Sequence, residues 1–238
     1  MPVERTNDPV VALEWSFDRL GAANPVAFLL APESFAFLER TPDSLALTLD
    51  GEPRFGAAFG PRPPWRPEWG VCFVDRSTLG PRVGALVEAD HWDFYTRPVG
   101  EDEHPRAVDE ITDDAAVTEL LTRDAPHSAV WPGNPEVVAW YGLRDDAGLA
   151  SVAALVRWRS GYHVLASMAT RADARGRGLA RRVVAGVVGA ASARRVPWLG
   201  LGVDHANDVA QHLYVATGFT RRALYTVYRS PGGGAGHR

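Results

Sequence analysis

The order of elements predicts an α/β fold: a mixed, mostly antiparallel sheet flanked by helices, with an N-terminal α/β accessory domain before it. Three observations carry this reading. Between Val137 and Thr170, strand-length apolar runs follow one another through Asp145-Asp146-Ala147-Gly148 and Ser160-Gly161, which are turn sequences. From Tyr162 to Val188 the pattern is strand, glycine-containing loop, helix. Hydrophobic content of 46% and charged content of 23% are those of an ordinary globular protein.

Composition bounds the rest. With 238 residues the chain has room for one large domain or two small ones, each with a real core. No apolar run reaches the length of a membrane span. The first residues carry Asp8, Glu14 and Asp18 within their apolar pattern, unlike a secretory or transit peptide. A lone cysteine, Cys72, excludes an internal disulfide and a thiolate metal cluster, and these features together point to the cytoplasm. A formal net charge of -4 gives no overall attraction for nucleic acid, but nine arginines stand against one acid, Asp173, between Arg157 and Arg195. All 25 basic residues are arginine, an actinobacterial-like composition signature that also argues against a lysine nucleophile.

In the first hundred residues, Val10 to Leu20 and Glu33 to Leu38 read as short helices and Leu45 to Leu49 as a strand ending at Asp50-Gly51. Gly60 to Gly70 holds four prolines and reads as a loop, with Trp65 and Trp69 either packing beneath it, the reading preferred, or lining an opening. Trp69 to Asp75 reads as a strand and Leu79 to Ala89 as a helix. That pair echoes the later strand–loop–helix, but Leu79 stands before Gly80 where Arg175 stands before Gly176, and Pro81 removes an amide donor, so no second ligand loop of this kind is expected there. His91 to Pro98 is dense in aromatics and reads as a segment that docks against the second half of the chain. The acidic, proline-containing stretch at Glu101 to Pro105 divides the chain into an accessory domain, 1–104, substrate-side or a degenerate relative of the second, and a main domain, 105–230.

In the main domain, Val108 to Thr112 reads as a strand and Asp113 to Arg123 as a helix capped by Asp113 or Asp114. A loop spans Pro126 to Pro135. Val137 to Leu143, Leu149 to Trp158 and Tyr162 to Thr170 read as successive strands. The helix from Gly178 places Leu179, Val183, Val184, Val187, Val188 and Ala191 on one face. Trp198 to Val203 is a strand, Asn207 to Thr217 a helix ended by Gly218, Thr220 to Arg229 the last strand, and 231–238 a glycine-rich tail.

The junction at Arg171 to Ala180 suits an anion. The first amides of a helix lack internal partners and sit at the positive end of its dipole, where phosphate binds. Gly176 and Gly178 let backbone approach a ligand, and Arg175, Arg177, Arg181 and Arg182 add charge that pairs with phosphate oxygens. Equally, such junctions are common in α/β folds and an arginine-rich helix face is often only solvated.

Arg175-Gly176-Arg177-Gly178-Leu179-Ala180 resembles the Arg/Gln-x-x-Gly-x-Gly/Ala pyrophosphate loop of the GNAT N-acetyltransferase superfamily. Asn207-Asp208-Val209-Ala210-Gln211-His212-Leu213-Tyr214, followed by Gly218-Phe219, is similar to the family's second motif, in the expected order. The resemblance covers roughly Arg106 to Ser230. It implies a sheet in which the strands at Tyr162–Thr170 and Trp198–Val203 splay apart to admit the pantetheine arm of acetyl-CoA. It implies backbone contacts from Met168 and Thr170 to that arm, amides of Gly176, Gly178, Leu179 and Ala180 on the pyrophosphate, Arg175 bracing the loop with Arg177 and Arg181 beside it, and Asn207 on the coenzyme arm. The implied reaction is transfer of acetyl to the amine of a small molecule or peptide by direct attack, with Tyr214 as general acid. The alternative for Tyr214 is a core tyrosine on the apolar face of its helix with Leu213.

The base is left open among Glu136, His127, His163, Asp204 and His205, and Asp204 could instead cap the following helix. No spacing suits a metal. A non-catalytic acyl-CoA sensor, or nucleic-acid binding through the Arg171–Arg195 face, are the rival readings, nucleic acid the weaker because coenzyme phosphates already account for the arginines. No membrane is expected as a partner, and a homodimer is compatible with the sequence.

Overall fold

The computed structural model describes residues 2–21, 24–80, 83–101, 103 and 108–231. In chain order they form β1 (Glu4–Thr6), α1 (Pro9–Leu20), α2 (Pro25–Leu29), β2 (Phe35–Arg40), β3 (Leu45–Leu49), β4 (Phe55–Phe59), β5 (Val71–Asp75) and β6 (Val87–Pro98). They continue through β7 (Asp109–Ile111), α3 (Asp114–Asp124), β8 (Val137–Asp145), β9 (Gly148–Arg157), β10 (His163–Thr170), α4 (Leu179–Ala193), β11 (Trp198–Asp204), α5 (Asp208–Ala216) and β12 (Thr220–Arg229). This is the expected α/β class. The chain packs as two compact units: Met1–Phe94, Gly202–Asp208 and Arg221–Arg238 form the first, Tyr95–Leu201 and Val209–Thr220 the second. Residues 102 and 104–107, in the expected boundary, and 232–238, in the expected tail, lie outside the described residues.

In the first unit the strands lie in the order β1-β2-β3-β4-β5-β12-β6. Pairing is antiparallel from β1 to β4 and between β5 and β12, and parallel between β4 and β5. Helix α1 starts where Asp8 accepts the Val10 amide at 2.8 Å, with Pro9 at a position whose amide would be unpaired anyway. Two expectations fail here. Glu33–Leu38 is a 3₁₀ turn, Pro32–Ser34, leading into β2, because pairing with both β1 and β3 outweighs the helical spacing of its apolar residues. Leu79–Ala89 contains no helix among its described residues: Gly80 and Gly84 take φ of +55° and +61°, outside helical geometry, and β6 begins at Val87. Pro81 and Arg82 lie outside the described residues. Trp69 is a packing residue, 2% exposed, its Nε1 donating to Thr48 Oγ1 at 3.0 Å. The aromatic stretch from His91 is part of β6, where Phe94 meets Phe28 edge-on at 5.2 Å.

In the second unit the order is β7-β8-β9-β10-β11-β6. β7 to β10 pair antiparallel, and β10 with β11 parallel. Strand β9 is buried along nearly its whole length, which explains its unbroken apolar sequence. The apolar face of α4, including Val183, Val184, Val187 and Val188, is wholly buried, and α3 contributes Val117, Leu120 and Leu121 to the interior. Asp113 caps α3 by accepting the Ala116 amide at 3.0 Å. Gly186 sits where a Cβ would come within 2.0 Å of Val108, so only glycine permits α4 to lie this close.

Candidate functional site

The site grows from the end of β10. The β9–β10 register breaks between Ala166 and Ala169, leaving Ser167 and Met168 out of the ladder. Ser167 takes φ of +50°, and its hydroxyl holds that strained backbone by donating to the Val130 carbonyl at 2.7 Å while accepting the Val130 amide at 3.0 Å. Met168 is half-buried, with its peptide groups released from β9. On the other edge, the parallel register described for β10 and β11 consists of two pairs, His163↔Leu199 and Val164↔Gly200. Beyond Val164, then, β10 has no described partner in β11. Thr170 stays paired with Ser151, and its carbonyl already accepts Arg175 Nε at 3.1 Å.

The loop after β10 is a 3₁₀ turn, Ala172–Ala174, followed by Arg175 to Gly178. Gly176 and Gly178 take φ of +73° and +74°, which L side chains adopt at a cost of roughly 1–2 kcal/mol each. A Cβ at either would meet nothing within 4 Å, so it is backbone conformation that calls for glycine, and the space above is open. Gly178 caps α4 without any side-chain hydrogen bond, and the first bond of the helix runs from Arg182 N–H to Gly178 O at 3.2 Å. The amides of Leu179, Ala180 and Arg181 therefore have no acceptor within the helix. This is a row of donors at a positive dipole end, beside open space, an arrangement suited to an anion.

The arginines differ from the expectation that they present free charge. Arg171 is buried, its Nη2 donating to both Asp145 oxygens at 3.0 and 2.9 Å and its Nε to Asp173 at 2.5 Å. Arg175 Nη2 reaches Asp124 at 3.4 Å, Arg177 Nη1 reaches Asp145 at 3.3 Å, and Arg181 Nη2 donates to the Ala216 carbonyl at 3.1 Å. The Arg171 guanidinium holds both the Asp145 and Asp173 carboxyls below the usual range. Sequence patterns did not single out Asp124 or Asp145 as site residues. The one local signal was an acid at the C-terminal end of α3, where the helix dipole favours a base.

Tyr214 projects into the interior from α5. It is 6% exposed, with Phe219 edge-on at 5.9 Å and Tyr95 at 6.5 Å. Burial pushes its phenol up to about 12. Gly218, at φ +89°, turns the chain out of α5 so that the Phe219 amide donates to the Tyr214 carbonyl at 3.0 Å.

Asn207, with Asp204 and His205, belongs to the first unit. The Asp204 carboxylate accepts the Ala206 amide at 2.7 Å and its carbonyl accepts the Asn207 amide at 2.9 Å, closing the turn before α5. His205 Nδ1 lies 3.0 Å from the fully buried Asp93, which also accepts Arg221 at 3.3 Å, and its Nε2 lies 3.3 Å from Arg76. With an arginine donor on Nε2, the ring proton sits on Nδ1. Both ring nitrogens serve a charged network, which gives His205 a structural role. Asp93 was also missed, since its partners lie more than a hundred residues away. Of the other candidate bases, Glu136 lies 3.7 Å from Arg159, and burial with Arg157 and Arg194 lowers the His163 imidazole. His127 is exposed. Among the described residues no group of three His, Cys, Asp or Glu is arranged to hold a metal ion. Among them, too, no helix is long and apolar enough to cross a membrane. Cys72 is buried, and desolvation pushes its thiol up to about 12.

Comparison with known proteins bears on this geometry. No curated protein matches the chain. Similar solved structures include a GCN5-related N-acetyltransferase from Kribbella flavida, 15% identical with a TM-score of 0.55 over 90% of this chain and 98% of that one. An acetyltransferase from the GNAT family of Colwellia psychrerythraea is 13% identical with a TM-score of 0.52, over 96% and 98% of the two chains. A GCN5-related N-acetyltransferase from Sphaerobacter thermophilus is 16% identical with a TM-score of 0.51, over 95% and 94%. At these identities the likeness is one of fold. The model of the acetyltransferase (GNAT) family matches residues 85–219, more than half of the sequence and both motifs, and the chain belongs to that family.

Proposed function

We propose that the protein transfers an acetyl group from acetyl-CoA to the amine of a small molecule or peptide by direct attack. The observation that carries this is the start of α4: unpartnered amides behind two left-handed glycines in open space, at the end of a strand whose parallel partner is engaged over two pairs. In this reading the amides of Gly176, Gly178, Leu179 and Ala180 receive the pyrophosphate. The released backbone of Met168 and that of Thr170 receive the pantetheine arm.

The neutral amine attacks the thioester carbonyl, the C–S bond breaks as the amide bond forms, and the amine's surplus proton leaves to water or a base. Tyr214 supplies a proton to the departing sulfur. Its phenol, raised to about 12, stays a donor at every working pH. A thiolate formed away from water is raised in the same way, as buried Cys72 is, which brings donor and acceptor into range of one another. The protein works in the cytoplasm. Nucleic-acid binding is disfavoured, because Arg171, Arg175 and Arg177 face carboxylates.

Thermal unfolding with and without acetyl-CoA tests the proposal. Ligand at about a hundred times its Kd raises stability by about 2.7 kcal/mol, and an Arg175→Ala, Gly178→Asp double variant loses that ligand-dependent shift. Tyr214→Phe then lowers kcat by about 10²–10⁴-fold on an accepted amine. No shift with acetyl-CoA, CoA or longer acyl-CoAs sinks the reading. Binding without turnover on any amine leaves the sensor in its place.

A further inference from the structure

We propose that Asp124 and Asp145 are positioning residues for the phosphate loop, fixing residues 171–177 in the shape that bares the α4 amides. The inference rests on the coenzyme reading and adds what holds that site open.

Asp124 is the last residue of α3, and its side chain is 4% exposed. A carboxylate there faces the negative end of the helix and is stripped of most of its water, two costs that a neutral residue would avoid. What offsets them comes largely from the loop. The Ala172 amide donates to Asp124 Oδ1 at 2.9 Å and Arg175 Nη2 reaches the same oxygen at 3.4 Å, while Arg123 Nε donates to Oδ2 at 2.8 Å. Asp145, from a different element, ends β8. It takes Arg171 through both carboxylate oxygens and Arg177 at 3.3 Å, and its Oδ1 also accepts the Ala147 amide at 3.0 Å, which fixes the carboxylate in the hairpin turn. Arg171 is pulled in so far that its Nη1 is buried with no hydrogen-bond partner. Residues 171, 172, 175 and 177 are therefore tied to two carboxylates, and the two glycines with positive φ sit within or just after the tied stretch.

The sign of the charge makes the case. Arg123, Arg171, Arg175 and Arg177 face Asp124, Asp145 and Asp173, so three acids stand among the four cations. Acids beside a site for a polyanion oppose binding by Coulomb's law. Their benefit is geometric: the loop is ordered before the ligand arrives, so binding does not bear that entropy. The phosphate is then recognised by backbone amides, with the loop guanidinium groups committed to bracing.

Charge and geometry predict opposite outcomes for Asp124→Asn and Asp145→Asn. Removing a negative charge tightens acetyl-CoA binding if only Coulomb forces act. Loss of positioning weakens it, by about 10–100-fold on the scale of other outer-shell partners. Asp124→Ala, which also loses the acceptor for the Ala172 amide, is the weakest binder, with Asn restoring part of the affinity. Calorimetric Kd values, taken well below each variant's Tm, separate this from a general loss of stability, which leaves Kd unchanged. Hydrogen exchange at the Ala172 amide in ligand-free protein rises in the Asp124 variants. Unchanged or tighter binding in the variants of a protein that binds acetyl-CoA overturns the positioning role. If the wild-type protein binds no acyl-CoA, the coenzyme reading falls, and unaltered Ala172 exchange would then remove the bracing as well.

Discussion

The two units share a run of elements, apart from the additional helix α2 in the first, and contrast at one crossover. Each begins with a short strand and helix, continues through three antiparallel strands, and then crosses to a strand parallel to the third: β4 to β5 in the first unit, β10 to β11 in the second. The first crossover is the proline-rich loop from Gly60. Its parallel strands stay in register over four pairs, Phe55↔Val71 to Ala58↔Val74, and the Trp69 ring lies on Gly56 so closely that a Cβ there would be 2.1 Å away. The second crossover carries the glycine loop and α4, its register covers two pairs, and the space at Gly176 and Gly178 is open. The difference teaches that room for an anion is a property of the crossover. The same strand frame, given a proline loop and a tryptophan, makes a packed core instead.

Trp69→Ala gives the largest effect expected from this contrast. Truncating a buried tryptophan costs about 3–5 kcal/mol, read as a fall in Tm, with the Kd for acetyl-CoA unchanged. A tenfold change in Kd would mean that the two crossovers are not independent. Gly178→Ala sharpens the contrast from the other side. Its φ of +74° exacts about 1–2 kcal/mol from any L side chain, and helix start and ligand affinity should suffer together, whereas Gly51→Ala, at a turn with ordinary φ, leaves affinity alone. The smallest effect is in acid. Asp145 is held below the ordinary carboxylate value by Arg171, so its contribution to stability is full above about pH 4 and is lost as pH falls through its lower folded value. Asp145→Asn should flatten that acid limb of a Tm-versus-pH curve. An identical limb would show that the Arg171 pairing does not survive in solution.

The sequence is most legible where chemistry is local. The elements from Asp109 to Arg229 lie within a residue or two of their expected bounds, because Asp113, Gly148, Gly178 and Gly218 announce caps and turns by their own side chains, or the lack of one. In the first unit, Glu33–Leu38 and Leu79–Ala89 have helical spacing, but strand pairing on both sides overrides it in the first and the positive φ of Gly80 and Gly84 in the second. The long-range carboxylate partners were illegible for a related reason. Asp124 meets Arg175 at a separation of 51 residues, Asp145 meets Arg171 at 26, and Asp93 meets His205 at 112. No periodicity links such pairs, since the fold alone brings them together. The Arg175–Ala180 motif reads as a phosphate loop with Arg175 as its brace, but nothing in it names Asp124 or Asp145, the carboxylates that Arg171, Arg175 and Arg177 face.

Cys72 has a practical consequence for all of these measurements. It is the chain's one thiol, enclosed between strands and pushed to about 12 by its surroundings, so the folded protein presents almost no thiolate at neutral pH. Acyl transfer from a thioester releases one thiol per turnover. In a colorimetric assay with a disulfide reagent the enzyme itself is silent while folded, and each equivalent of colour counts one acyl group delivered. The same reagent, applied without substrate, turns a slow appearance of colour into a clock for global unfolding.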